Sequence, residues 1–388
     1  MTTNSIIADD LAAYRQFLDE EGIDWMDFPA QKLRRPTYRF NSRLKLLIRI
    51  REIAAGTAKR RMSSVVGFYR WLAQDGLFKP AHEPWREADR YVQYKDSQGI
   101  EKVKRVATTD LSIHVPQQYD PYDETLDDGA KLRPLPLEEQ EWLINALQVF
   151  GNTEMTLIHL MSLLTGARIQ TVLTFRVRHT ALNLDDVTAT TLRFPVGPGT
   201  GIDTKYDKRM VLHIPVWFYR QLQIYARSER ARMRRSRADG GDTEDQYLFL
   251  SRRGAPLYEG KETAQEFDES NKLRYQKIGQ AVRQFIYERV TPYIRKKYNV
   301  PKFRYRFHDL RATAGMNWTD HQLKLVGEGK TTLHAAREFV KTRMGHESSA
   351  VTDRYLQYRG NLKLVRWAEE SHETHLQQLA RKALEGAL

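Results

Sequence analysis

The chain has 388 residues, enough for two or three domains, with 41% hydrophobic and 29% charged residues and no cysteine. This balance excludes an unfolded low-complexity chain and a bilayer span, and the missing thiols exclude disulfides, thiolate zinc sites and cysteine nucleophiles. Lysine and arginine outnumber aspartate and glutamate by 62 to 49, a formal charge of +13, so a polyanion is the expected partner: nucleic acid before an anionic membrane, for which no lipidation motif is present.

In chain order, Met1–Asp10 is too polar for a signal peptide, which makes a cytoplasmic location the expectation. A first helix is predicted over Asp9–Glu20. From Lys32 to Arg61 eleven basic residues face one acid, Glu52, a local charge of +10. Leu44, Leu47, Ile48 and Ile50 recur there at helical spacing, which sets a basic face against an apolar one. The density of charge without counter-ions points to phosphate contact by Arg34, Arg35, Arg39, Arg43, Lys45, Lys59, Arg60 and Arg61. Thr57–Gln74 reads as a helix with Val65, Val66, Phe68, Tyr69, Trp71 and Leu72 as its core stripe, closed by Gly76. Tyr91–Val106 reads as a short hairpin.

Between Val115 and Pro136 four prolines and five acids replace any apolar period, the pattern of an exposed linker. The expected division is therefore a helical domain over 1–115, a linker over 116–134 and a second domain over 135–388. In the second, helices are predicted over Leu137–Phe150, Glu154–Leu164 and Val216–Arg237, with strands at Thr191–Val196 and Met210–Ile214 joined by a glycine-rich turn. Helices are expected to continue to the C-terminus, where Leu362, Val365, Leu376, Leu379 and Leu384 form an apolar stripe.

Several chemistries are excluded by spacing. His346-Glu347 has no second histidine four residues on, Gly197–Gly201 is not followed by the Lys-Ser or Lys-Thr of a phosphate loop, and no acid cluster suits two metals. Four segments remain: Thr165-Gly166-Ala167-Arg168, Thr204-Lys205-Tyr206-Asp207-Lys208, Phe307-His308-Asp309-Leu310-Arg311, and Met344-Gly345-His346 with Tyr355 nine residues after the histidine. Singly, each reads as surface charge, scaffold or packing.

In this order and spacing they resemble the tyrosine recombinase, or phage integrase, family, whose signature runs Arg, Lys, His-x-x-Arg, His or Trp, Tyr. The resemblance spans nearly the whole chain. It implies a mainly α fold with a small β-sheet: a helical core-binding domain and an α+β catalytic domain closing as a clamp on DNA. Residue by residue it implies Arg168, Lys205, His308, Arg311 and His346 as catalytic groups and Tyr355 as nucleophile, with Lys208 the competitor of Lys205 and Tyr358 that of Tyr355. Many members carry a glutamate three residues after the first arginine, where this chain has Thr171.

The activity implied is site-specific DNA recombination through a covalent 3′-phosphotyrosine, without metal, cofactor or ATP, in integration, excision or resolution for a mobile element. Double-stranded DNA, a homotetramer on paired sites and accessory DNA-bending proteins are the implied partners, and the nucleoid of a prokaryotic host the implied place. The alternatives are a type IB topoisomerase-like or telomere-resolving enzyme and a catalytically silent DNA-binding relative. The residue types suit the chemistry. Two arginines clamp non-bridging oxygens, a lysine or histidine moves protons, and a tyrosine ester conserves the energy of the broken bond.

Overall fold

The computed structural model describes residues 2–95, 101–115, 125–185, 187–261 and 277–358. It divides into two compact units, Met1–Tyr119 and Asp120–Leu388, each with its own core. Among the described residues no helix is long and apolar enough to cross a membrane.

The first unit packs three helices, α1 (Thr2–Glu20), α2 (Pro36–Arg49) and α3 (Ala55–Gln74), beside an antiparallel hairpin of β1 (Glu87–Lys95) and β2 (Glu101–Thr109). Proline opens α2, where its missing N–H costs nothing, and the helix buries Phe40, Leu44 and Leu47 while Arg43 and Lys45 stay exposed. Aromatic residues fill the centre: Tyr14 and Tyr69 share a 2.9 Å hydroxyl contact, and the Tyr69 hydroxyl lies 2.7 Å from the Trp25 carbonyl. Two expected core positions face solvent instead. Ile50 lies beyond the end of α2, and Trp71 stands on the outer side of α3, so the apolar stripes are narrower than the sequence implies.

The second unit is also mainly helical. It begins with a hairpin, β3 (Leu126–Asp127) and β4 (Lys131–Leu132), followed by α4 (Leu137–Phe150), α5 (Thr153–Thr165) and the short α6 (Ile169–Leu173). Asn152 caps α5, its side chain accepting from the Met155 amide at 3.2 Å. Strands β5 (Thr191–Val196) and β6 (Met210–Pro215) pair in antiparallel register from Thr191 opposite Pro215 to Val196 opposite Met210. Gly197, at φ 115°, leaves β5 where any side chain would come within 2.6 Å of the Lys208 carbonyl, so the turn demands glycine.

The single helix expected over 216–237 is two, α7 (Val216–Arg227) and α8 (Glu229–Arg235). Ser228 breaks it: its backbone is extended, and its side chain caps α8 by accepting from Ala231. The break turns Arg230 and Arg234 onto the buried Glu154 carboxylate, at 2.8 and 2.9 Å. Next come α9 (Gln280–Phe285), a π-helical turn (Ile286–Val290) and α10 (Thr291–Lys297), then α11 (Asp309–Gly327), α12 (Leu333–Met344) and a last helix, α13, described over 349–358. The expected apolar stripe of the tail lies outside the described residues, as do residues 96–100 within the hairpin expected over Tyr91–Val106.

Candidate active site

Four pieces of the second unit bring the motif residues together. Arg168 is the N-cap residue of α6, placed there by the left-handed Gly166 that ends α5. His308 is the N-cap residue of α11, with Arg311 in its first turn. His346 follows Gly345, the left-handed end of α12, and Tyr355 comes from α13.

Arg311, 2% exposed, ties three of these pieces with one guanidinium. Its Nη1 donates to the Gly166 carbonyl and its Nη2 to the Met344 carbonyl, both at 2.8 Å, and its Nε donates to Asp128 Oδ2 at 2.9 Å. Asp128 is the centre of the cluster. The buried Tyr355 hydroxyl donates to the same Oδ2 at 3.1 Å, His346 Nε2 lies 3.3 Å from it, and an Arg168 nitrogen lies 3.7 Å from Oδ1. With Nε2 donating to the carboxylate, a neutral His346 accepts at Nδ1 from the Thr352 hydroxyl, 3.0 Å away.

The lysines occupy the loop between β5 and β6, whose Tyr206 and Asp207 have positive φ of 60° and 53°. Lys205 lies over the Tyr206 ring at 4.9 Å and makes no ion pair among the described residues. Lys208 is tied to the histidine loop, donating to the Gly345 carbonyl at 2.8 Å and pairing with Glu347 at 3.0 Å. Both line a narrow cleft with Arg168, Thr171 and Arg311. His308 lines a separate cavity of about 830 Å³ and is not hydrogen-bonded to Tyr355, whose hydroxyl is taken by Asp128.

The charges follow from this packing. Burial alone would raise the Asp128 pKa, but the His346 hydrogen bond and the Arg311 charge hold it far below the usual carboxylate range. Burial, and then Asp128, push the Tyr355 hydroxyl well up, so it is a protonated phenol. Burial and the Arg311 charge bring Arg168 down to about 10, still cationic at neutral pH. Burial, with the two arginine charges, lowers His308 to about 4. The site is thus an anion position lined by two guanidiniums, an imidazole and a phenol, and a carboxylate fills it.

That carboxylate is the residue the sequence reading missed. Residues 116–134 read as an exposed linker, yet residues 126–132 fold as a hairpin whose Leu126 and Leu132 are buried against Ala312, Met344 and Tyr355. Two-residue strands are too short to show a period. The signal available was Asp128-Gly129, a turn pair between two leucines. Thr171 uses its hydroxyl on the Asp203 carbonyl at 2.9 Å, so the acid facing Arg168 comes from position 128 instead.

In the first unit the eight expected phosphate ligands separate into two groups. Arg35 donates to three carbonyls, those of Pro29, Ala30 and Glu83, at 2.7–3.0 Å, and so holds the start of α2. Arg39 pairs with Glu21 at 2.5 Å, and Arg60 and Arg61 lie 3.0 and 3.9 Å from Asp10. Arg34, Arg43, Lys45 and Lys59 are exposed.

No protein-family model matches the chain, and no curated protein matches it in sequence. Among solved structures it is similar to the XerH site-specific recombinase bound to its difH substrate, at 12% identity and a TM-score of 0.45 over 85% of this chain and 69% of that one. It is similar to the Tn1549 transposon integrase in complex with a circular intermediate DNA, at 13% identity and a TM-score of 0.43 over 82% and 80%. It is also similar to XerA recombinase, at 15% identity and a TM-score of 0.36 over 95% and 98%.

Proposed function

We propose that the chain is a tyrosine-type site-specific DNA recombinase. The observation that carries this reading is the meeting of Arg168, Arg311, His346 and Tyr355 around one anion position, from segments separated by as many as 227 residues between Asp128 and Tyr355. A phosphodiester held there by the two guanidiniums would present its phosphorus to the phenol. The Tyr355 oxygen then bonds to phosphorus, the bond to the 5′ oxygen breaks, and that oxygen takes a proton from a cation of the β5–β6 loop. Lys205 suits this step because it makes no ion pair among the described residues, whereas Lys208 is engaged by Glu347. His346 donates to a non-bridging oxygen. His308, neutral at physiological pH, takes the proton that the Tyr355 phenol gives up as its oxygen bonds to phosphorus. The exposed Arg34, Arg43, Lys45 and Lys59 add sequence-independent contacts to the DNA backbone.

The test is a covalent adduct. Incubation with nicked fragments of the genomic DNA that flanks the gene should leave protein on DNA in a denaturing gel. Tyr355→Phe should abolish that band while DNA affinity stays nearly unchanged, because nothing replaces the absent oxygen. Tyr358→Phe should retain it. A band that survives Tyr355→Phe contradicts the assignment, and no band from the wild-type chain contradicts the activity.

A further inference from the structure

Asp128 is placed where a buttressing acid would not be. An acid that merely orients arginines lies behind them, whereas this carboxylate lies between them and the phenol, its Oδ2 3.1 Å from the Tyr355 hydroxyl and 2.9 Å from Arg311 Nε. An oxygen attacking phosphorus must come within about 3–3.5 Å of it, so a phosphodiester in line with Tyr355 needs the volume that Asp128 fills. The carboxylate offers two anionic oxygens to the groups that the proposed phosphate would meet: Arg168 at Oδ1, and Arg311, His346 and Tyr355 at Oδ2. Two anions cannot share that space.

The element that carries it has a fixed base and a small tip. Leu126 and Leu132 are buried and anchor both strands. The tip is Asp128-Gly129-Ala130, closed by one backbone bond of 3.1 Å from the Asp128 amide to the Ala130 carbonyl, with Gly129 at φ 74°. Around it, Arg354 donates to the Asp127 carbonyl at 2.8 Å, Arg306 to the Lys131 carbonyl, and a side chain at Gly129 would meet Lys205 Nζ at 3.2 Å. A glycine turn of three residues can swing out while the leucines stay in place.

We infer that the 126–132 hairpin is a substrate-mimicking latch, in which the Asp128 carboxylate holds the phosphate position among Arg168, Arg311, His346 and Tyr355 and leaves when a DNA backbone takes it. The inference rests on the strand-cleaving reading above. Closed, the latch does two things: it fills the site, and it gives the Tyr355 proton an acceptor too weak as a base to remove it. It also supplies the negative charge that lets the buried Arg311 and the half-buried Arg168 stay together without DNA.

The experiment uses the full chain and the nicked flanking fragments. Asp128→Asn keeps the shape and one acceptor oxygen but removes the charge that competes with phosphate, so it should speed adduct formation by about tenfold or more. A slower adduct from Asp128→Asn than from the wild type would make Asp128 a positioning residue and overturn the latch alone. No adduct from either chain overturns the cleaving reading and the latch with it. Should Asp128→Asn fail to fold, amide hydrogen exchange of the wild-type chain decides. Adding the same DNA should accelerate exchange at Gly129 and Ala130 severalfold, and unchanged or slower exchange there would overturn the proposal.

Discussion

Arg311 and His159 are buried, and each spends its polar atoms on a small set of partners. Replacing Arg311 by Ala takes from the Asp128 carboxylate its nearest cation and from the Gly166 and Met344 carbonyls their guanidinium donors. Breaking a buried pair on one side costs on the order of 3–5 kcal/mol, so Arg311→Ala should lower the urea midpoint steeply as well as stop turnover. An unchanged midpoint would contradict the geometry. His159 is fully buried: Nδ1 donates to the Met155 carbonyl at 2.6 Å, so Nε2 accepts from the Tyr305 hydroxyl at 3.1 Å. Burial lowers its pKa from 6.5 to about 4. Above pH 6.5 the ring is neutral in folded and unfolded chains alike, and stability does not depend on it. Between 6.5 and about 4 the unfolded chain takes up a proton that the folded one refuses, so stability falls as pH falls. His159→Gln should reduce the slope of the urea midpoint against pH across that window, while equal slopes would show that the buried ring is not its source.

At the scale of elements, α11 and α13 meet with almost no space between them. A methyl group on Gly315 of α11 would come within 2.5 Å of the Tyr355 ring. Gly315→Ala should therefore push the ring aside, lowering stability by about 1–3 kcal/mol as overpacked cores do and slowing adduct formation without changing DNA affinity. A variant as stable and as fast as the wild type would mean that α13 gives way freely. Most elements were legible because their signals are local: the bounds of α4 and β5 follow from apolar period and flanking turn residues. The break at Ser228 was not, because residues that favour a helix run on past it and only the burial of Glu154 elsewhere draws α8 aside. For the site, Arg168, His308, Arg311, His346 and Tyr355 stood out by type and order, and the structure brings four of them onto one carboxylate. Asp128 did not stand out, since its burial depends on partners 183 to 227 residues away.

For the whole molecule, the two cores predict two separable folding units. A fragment beginning at Asp120 should fold cooperatively alone, as should residues 1–119. A fragment beginning at Leu135, where the sequence pattern sets the domain start, should be less stable by about 3 kcal/mol or more, because it lacks the buried Leu126 and Leu132 and leaves Arg311 without its carboxylate. Urea titrations of the three fragments check this, and equal stability of the two longer ones would mean that the hairpin is not part of the second core.

The sequence separations across the site also bear on synthesis. Arg311 binds groups 145 and 183 residues behind it, and the Tyr355 hydroxyl one 227 residues behind. At about 5–20 residues per second, a ribosome that has made Asp128 needs roughly 10–45 s more to reach Tyr355. During that interval the whole of the first unit, with its excess of basic residues, has been made, while the second unit holds neither its phenol nor its full set of cations. On the proposed reading, a product of premature termination anywhere in those 227 residues lacks the nucleophile, so damaged messages would yield chains able to hold DNA and unable to cut it.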